Sequence, residues 1–351
     1  MKERRLDIDI LKIIATLMVV ILHVDGYLLS IVPFEQFSFP SLVAWHLNET
    51  FAYPAIHLFA MITIYLLIDK KNISILKSGI HSWILTFTIC VLGLLVAVSF
   101  RVSFGIKEFF SCLFPFVGRA YWYVSDFLVL LFFIPLLNKV IESINMRNLK
   151  YLITILFVLI SIFPTFFSVF DWTQDYSNIG LFVFLYFTVG YIKKCETNEI
   201  KIRGGWQIWS ISFLLLFSSW LVIYLLSFKY SLFAGREMIL YQYCSPLVIS
   251  EAIGLFLLFL RMRRTHRKKH LGVLANSSLV VYLIHMHPII KNYYIQWNIL
   301  GWVNVSNPLI MMVQIATVVV LVYCVGVVVS IPFNRLSNYI SSIIVKKMFS
   351  R

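Results

Sequence analysis

Three residues in the first long apolar stretch could do chemistry: Asp9, Lys12 and His23. A charge or an imidazole inside such a stretch is costly to desolvate, so it needs a partner or a task. At 100° and 1.5 Å per helical residue, Lys12 and His23 fall within about 20° of one face and about 16 Å apart. Asp9 precedes Lys12 by three residues, on the neighbouring ridge, where its carboxylate can pair with the ammonium. An imidazole exchanges protons near neutral pH. Each residue also has a plainer use: Lys12 can snorkel to lipid headgroups, and His23 can hydrogen-bond a neighbouring helix. Their shared face favours joint use.

The other histidines are less organised. His285 and His287 lie near the end of a later apolar stretch, but a spacing of two does not share a helical face. His287 precedes Pro288, where a regular helix tends to end. His46, His57 and His81 form no constellation. His266 and His270 sit in the basic loop RMRRTHRKKH, which suits a topology signal or anionic lipid. There is no HExxH pattern or Cys/His cluster, so no metal is expected. A P-loop and a GxSxG elbow are also missing.

These residues must be positioned by membrane helices. Of 351 residues, 60% are apolar and only 13% are charged. Soluble domains carry about 25% charged residues and must keep their surface wettable. The net charge of +14 does not point to nucleic acid, because the basic residues fall in short runs between apolar stretches. The five cysteines, Cys90, Cys112, Cys195, Cys244 and Cys324, include no CxxC pair and read as small apolar side chains. The N-terminal apolar stretch is too long for a signal peptide and has no small-x-small cleavage site.

A span needs about 20 mainly apolar residues. The hydropathy pattern predicts ten: 10–30, 51–68, 82–101, 121–139, 150–169, 179–193, 206–227, 239–260, 271–290 and 307–332. With the N-terminus inside, the inner segments hold Lys2, Arg4 and Arg5; Lys70, Lys71 and Lys77; Lys139, Arg147 and Lys150; Lys193, Lys194, Lys201 and Arg203; the basic run from Arg261 to Lys269; and Arg335, Lys346, Lys347 and Arg351. The outer segments hold Arg101, Lys107, Arg119, Lys229, Arg236 and Lys291. Every inner loop obeys the positive-inside rule. The expectation is an all-α integral membrane protein with about ten transmembrane helices and both termini cytoplasmic. It is a single domain over residues 1–351, with no appended soluble domain.

At this point the sequence resembles the membrane-bound type-3 acyltransferase family. The segment from Asp9 through Leu11, Lys12 and Ala15 matches the family's D-x-L-[RK]-x-x-A opening, and His23 follows the basic residue after ten residues. Tyr121-Trp122-Tyr123, leading into a helix ending Ile134-Pro135-Leu136-Leu137, resembles the family's aromatic helix. Tyr243-Cys244-Ser245-Pro246 resembles another recurring patch, and the run from Ser278 through Tyr282 and Leu283 to His285 matches S-x-x-x-Y-L-x-H. The second helix departs from P-x-F-F-x-x-S-G-Y-x-L: after Pro54, Thr63 and Ile64 replace the Ser-Gly pair. The basic cluster that follows it in the family is reduced to Lys70, Lys71 and Lys77.

The resemblance implies transfer of an acyl group, typically acetyl, from cytoplasmic acetyl-coenzyme A to a sugar hydroxyl. The acceptor would be a cell-surface glycan or its lipid-linked precursor, and the setting a bacterial cytoplasmic membrane. On that reading His23 is the base, acting on the acceptor directly or through an acyl-imidazole. Lys12 binds or orients the anionic donor, and Asp9 fixes Lys12. Lys70, Lys71 and Lys77 would dock coenzyme A. Acceptor binding falls to Arg119, Trp122, Tyr123, Asp126 and His285, although interface anchoring explains Arg119 and the aromatic rings as well. Two rival readings are a lipid-linked-glycan transporter or flippase and a non-catalytic glycan-assembly partner. Transport would predict matched helix breaks in two halves, and no internal repeat stands out.

Overall fold

The computed structural model describes residues 4–68, 70, 72–116, 120–167, 179–262, 264–266, 268–291 and 300–349. Lys71 and Arg119 lie outside the described residues, as do Lys2, Arg263, Arg267 and Arg351.

Helix occupies each of the ten predicted segments, with several changed bounds. α1 (Leu6–Ile31) is uninterrupted. α2 (Phe39–Ala52), which hydropathy did not mark, precedes α3 (Ala55–Leu67), with Pro54 at the N-cap of α3. α4 (Asn72–Ser99) starts well before the predicted residue 82, and a short α5 (Ile106–Leu113) follows. α6 (Trp122–Ser143) carries Pro135 inside it. α7 (Met146–Phe157) starts where the Asn145 side chain accepts from the Asn148 N–H at 2.8 Å. It then widens into a π turn at Val158–Ile162 before α8 (Phe163–Phe166). The widening falls just ahead of Pro164, whose ring cannot sit against an ordinary preceding turn.

α9 (Ile179–Thr197) and α10 (Gly205–Ser227) follow the expected pattern. α11 (Pro246–Leu260) starts seven residues later than the predicted 239, because Pro246 suits the first helical turn. The predicted 271–290 is two helices, α12 (Lys269–Asn276) and α13 (Ser278–His285), ending before Pro288. α14 (Pro308–Phe349) runs beyond the predicted end at Pro332. A proline removes one backbone hydrogen bond, and the remaining ladder carries the helix through. The described fold departs from helix at one two-stranded ladder, where Arg4 and Arg5 pair antiparallel with His266 and Thr265. The basic loop after α11 therefore holds the N-terminus as well as charge.

Among the described residues, six helical stretches are long and apolar enough to cross a membrane: Phe39–Leu67, Ser74–Ser99, Trp122–Ser143, Met146–Phe166, Gly205–Ser227 and Pro308–Met348. Large apolar side chains cover their outer surfaces, with Phe132 84% and Leu309 78% exposed. Such faces suit lipid, where all backbone groups must be satisfied within the helix.

The chain forms two compact units. The first comprises Met1–Ala15, His46–Asp69 and Phe132–His266. Its core is α3, buried on nearly every side, packed by α9 and α11. α10 packs closely on α11, where Gly205 and Gly254 let the backbones meet. A Cβ on Gly254 would lie 2.5 Å from the Trp209 backbone nitrogen. The second unit comprises Thr16–Trp45, Lys70–Leu131 and Arg267–Arg351. There α13 packs on α4 and on α14, approaching α14 at Gly326, where a Cβ would lie 2.6 Å from Val281 Cγ2.

Because the obstacle at Gly254 is backbone, Gly254→Ala should destabilise the first unit by about 1–3 kcal/mol. Thermal unfolding of the detergent-solubilised protein checks this, and an unchanged midpoint would contradict the close packing.

Candidate functional site

In the second unit, α1 and α13 are joined by two side-chain hydrogen bonds. Thr16 Oγ1 donates to Ser278 Oγ at 2.7 Å, and His23 Nδ1 lies 2.9 Å from His285 Nε2. Seven residues separate the two contacts on each helix. Seven residues make two turns, about 10 Å, and return to the same face within about 20°. Since both numbers increase together, the two helices run parallel here.

α13 is itself fixed. Ser278 Oγ donates to the Ala275 carbonyl at 3.0 Å, and Tyr121 donates its hydroxyl to the Leu283 carbonyl at 2.7 Å. His285 Nδ1 lies 2.6 Å from the Val281 carbonyl, one turn back. Beyond the pair, the Tyr27 hydroxyl reaches Met286 Sδ at 3.5 Å. Tyr282 lies among these rings, with centroids 6.3 Å from His23, 6.0 Å from His285, 5.7 Å from Tyr121 and 6.3 Å from Tyr123. Tyr121 and His285 are buried, whereas His23 and Tyr123 are partly buried.

The structure thus brings together His23, Tyr123 and His285 from the predicted set, and adds Tyr121 and Tyr282. Trp122 stands edge-on to Tyr123 at 6.0 Å. Asp126 is buried one turn further along α6. Lys70 is exposed, and Lys77 is partly buried on α4.

The structure places Arg4 on the carboxylate of the predicted Asp9–Lys12 pair. In the first unit, both Asp9 oxygens accept from Arg4, at 2.7 Å from Nε and 2.6 Å from Nη2. This two-pronged guanidinium contact is a strong, directional one. The neighbouring Arg5 pairs with buried Asp7 at 2.9 Å and donates to Tyr65 Oη at 3.1 Å. Tyr65 in turn donates to Glu196 at 2.9 Å, and Lys193 Nζ sits 4.6 Å from the Tyr65 ring centroid. The carboxylates of Asp9 and Asp7 raise the pKa of Arg4 and Arg5, respectively, and hold both charged. This network lies at the start of α1, on the helix that continues uninterrupted to His23.

His287 and Cys112 do not form a nucleophile and base. His287 Nε2 approaches Cys112 Sγ at 3.8 Å, but it also donates to the Cys90 carbonyl at 3.1 Å. The other ring nitrogen accepts from the Ile289 N–H at 3.3 Å, so neither can take a thiol proton. Burial pushes the Cys112 thiol up to about 11. His287 instead caps the turn that follows Pro288, accepting from the Ile289 N–H, in space left by Gly93.

The other histidines also have structural contacts. His57 donates to the Tyr243 carbonyl at 2.7 Å, His46 stacks on Trp220 at 3.6 Å, and His81 bonds Ser337 at 2.8 Å. The sequence reading missed four buried carboxylates among the described residues: Asp7 and Asp25 in α1, Glu49 in α2 and Glu251 in α11. Asp25 and Glu251 lay inside predicted spans, where an ionisable residue is itself a signal.

A family model described as an acyltransferase domain matches residues 5–335. No curated protein and no solved structure matches the chain.

The Tyr121–Leu283 bond gives a local test. Tyr121→Phe leaves a buried carbonyl without its donor and should cost about 1–3 kcal/mol. The unfolding midpoint should fall, and no change would show that the hydroxyl does not hold the end of α13.

Proposed function

This chain belongs to the type-3 acyltransferase family, and from that premise we propose that it moves an acetyl group from cytoplasmic acetyl-coenzyme A to a hydroxyl of a cell-surface polysaccharide or its lipid-linked precursor. The observation that carries this reading is the family match over nearly the whole chain. The His23–His285 contact supports it by supplying an imidazole held in one place.

The residues divide the reaction. The acceptor oxygen attacks the thioester carbonyl as His23 takes the hydroxyl proton. The carbon–sulfur bond breaks, and the departing thiolate receives that proton. If the acyl group rests first on His23, the same imidazole acts as nucleophile before acceptor attack. Lys12, eleven residues earlier on the same helix, holds the anionic donor. Asp9 and Arg4 fix the charge around it, and Lys70, Lys71 and Lys77 add cations for the coenzyme. Arg119, Trp122, Tyr123 and Asp126 receive the acceptor sugar.

This division needs a membrane with the donor inside. The basic segments support ten crossings with both termini in the cytoplasm, and the family resemblance is what supports a bacterial cell membrane. The parallel course of α1 and α13 fits that order, since the first and ninth crossings run the same way. Transport of a lipid-linked glycan without chemistry is the rival reading.

Purified wild-type protein should release free coenzyme A from acetyl-coenzyme A when the acceptor is supplied. His23→Ala should lower turnover by about 10²–10⁴-fold, the usual contribution of a general base. Lys12→Ala should be impaired too, with both variants inserting normally. Undiminished turnover in His23→Ala would remove His23 from the chemistry. A wild type that moves glycan without releasing coenzyme A would favour transport.

A further inference from the structure

We infer that His285 is a positioning residue that locks His23 in one tautomer, leaving His23 Nε2 as the nitrogen that meets the reacting hydroxyl; this rests on the acyl-transfer reading above. The assignment follows from a chain of two hydrogen bonds that starts on the backbone. The Val281 carbonyl can only accept, so the His285 nitrogen 2.6 Å away, Nδ1, carries a proton. A neutral imidazole has one proton, so His285 Nε2 is a bare acceptor. His23 Nδ1, 2.9 Å from that nitrogen, must therefore donate. Neutral His23 then has its lone pair on Nε2.

The surroundings hold this polarity in place. The residue supplying the carbonyl, Val281, packs on Gly326, where even a Cβ would collide. Tyr121 pins the next turn through Leu283, and Thr16 pins the start of α13 through Ser278. His285 is 3% exposed, so water does not compete for its ring. A buried imidazole with both nitrogens engaged has no free edge for a sugar. The role implied by resemblance, acceptor binding, is therefore replaced by orientation of His23.

The proton balance follows. His23 Nε2 takes the acceptor proton, and the resulting imidazolium keeps its Nδ1–H on His285 Nε2. The proton then returns from Nε2 to the leaving thiolate. His285 is unchanged and never touches the substrate. A partner with no negative charge orients the base without making it a stronger one, unlike the carboxylate of a serine-protease triad.

The test uses full-length protein with ¹⁵N-labelled histidine in lipid bilayers. Solid-state NMR reads each nitrogen, and the His23 signals are those missing in His23→Ala. Wild-type His23 should show a protonated Nδ1 and a bare Nε2. His285→Gln should preserve that pattern, because its amide oxygen can still accept. His285→Leu should lose it. A wild-type His23 protonated on Nε2 would overturn the inference. In acyl transfer, His285→Leu should lower kcat by about 10²-fold with the donor KM unchanged, while His285→Gln stays within about tenfold of wild type. If His285→Leu keeps full kcat while His23→Ala abolishes it, the positioning role fails and the acyl-transfer reading stands. If His285→Gln is as inactive as His285→Leu at wild-type thermal stability, acceptance of a hydrogen bond is not the role of His285. If the wild type transfers no acyl group, that reading fails, and the NMR pattern still decides the tautomer.

Discussion

An imidazole among apolar helices cannot rely on water for its hydrogen bonds, so the protein must supply them. For His23 one such partner is the His285 ring, and much of the local architecture serves that contact. α13 has to lie parallel to α1, at a height set by Thr16 and Ser278. Its backbone has to come close enough to α14 that only glycine fits at position 326. Its last turn has to be held by Tyr121. Each feature is ordinary packing, and together they leave the imidazole little freedom to turn. A reactive group held this way gives up less entropy when substrate arrives.

The start of the same helix solves a related problem with charge. Asp7 and Asp9 are buried, and each is taken by an arginine of the short N-terminal strand. Removing one member of such a pair leaves an uncompensated buried charge, which is far costlier than losing an exposed pair. The ladder between Arg4–Arg5 and Thr265–His266 adds backbone bonds to the same segment. Lys12 therefore sits beside an ordered ionic network on a helix that leads directly to His23.

Much of this was legible from residue spacing, and the failures have physical causes. Hydropathy located helix in every predicted segment, because the helices are long and apolar. It missed α2, where Asn48, Glu49 and Thr50 interrupt the apolar run. It misplaced the start of α11 because Tyr241, Tyr243 and Cys244 are apolar enough to extend the window, while Pro246 sets the true start. The Lys12–His23 face was readable from helical period alone. The Arg4 contact of Asp9 was not, because Arg4 lies outside α1 and folds back onto it. His285 could be picked out by motif, but its contact with His23 spans 262 residues and no local period reveals it.

The central claim is that acyl transfer to a surface glycan depends on the His23 imidazole. The most direct measurement is mass spectrometry of surface polysaccharide from cells lacking this protein, resupplied with either the wild type or His23→Ala at equal membrane abundance. Wild type should restore a mass increment of one acyl group per modified sugar, and His23→Ala should leave the polysaccharide unmodified. Equal acylation with both would contradict the claim.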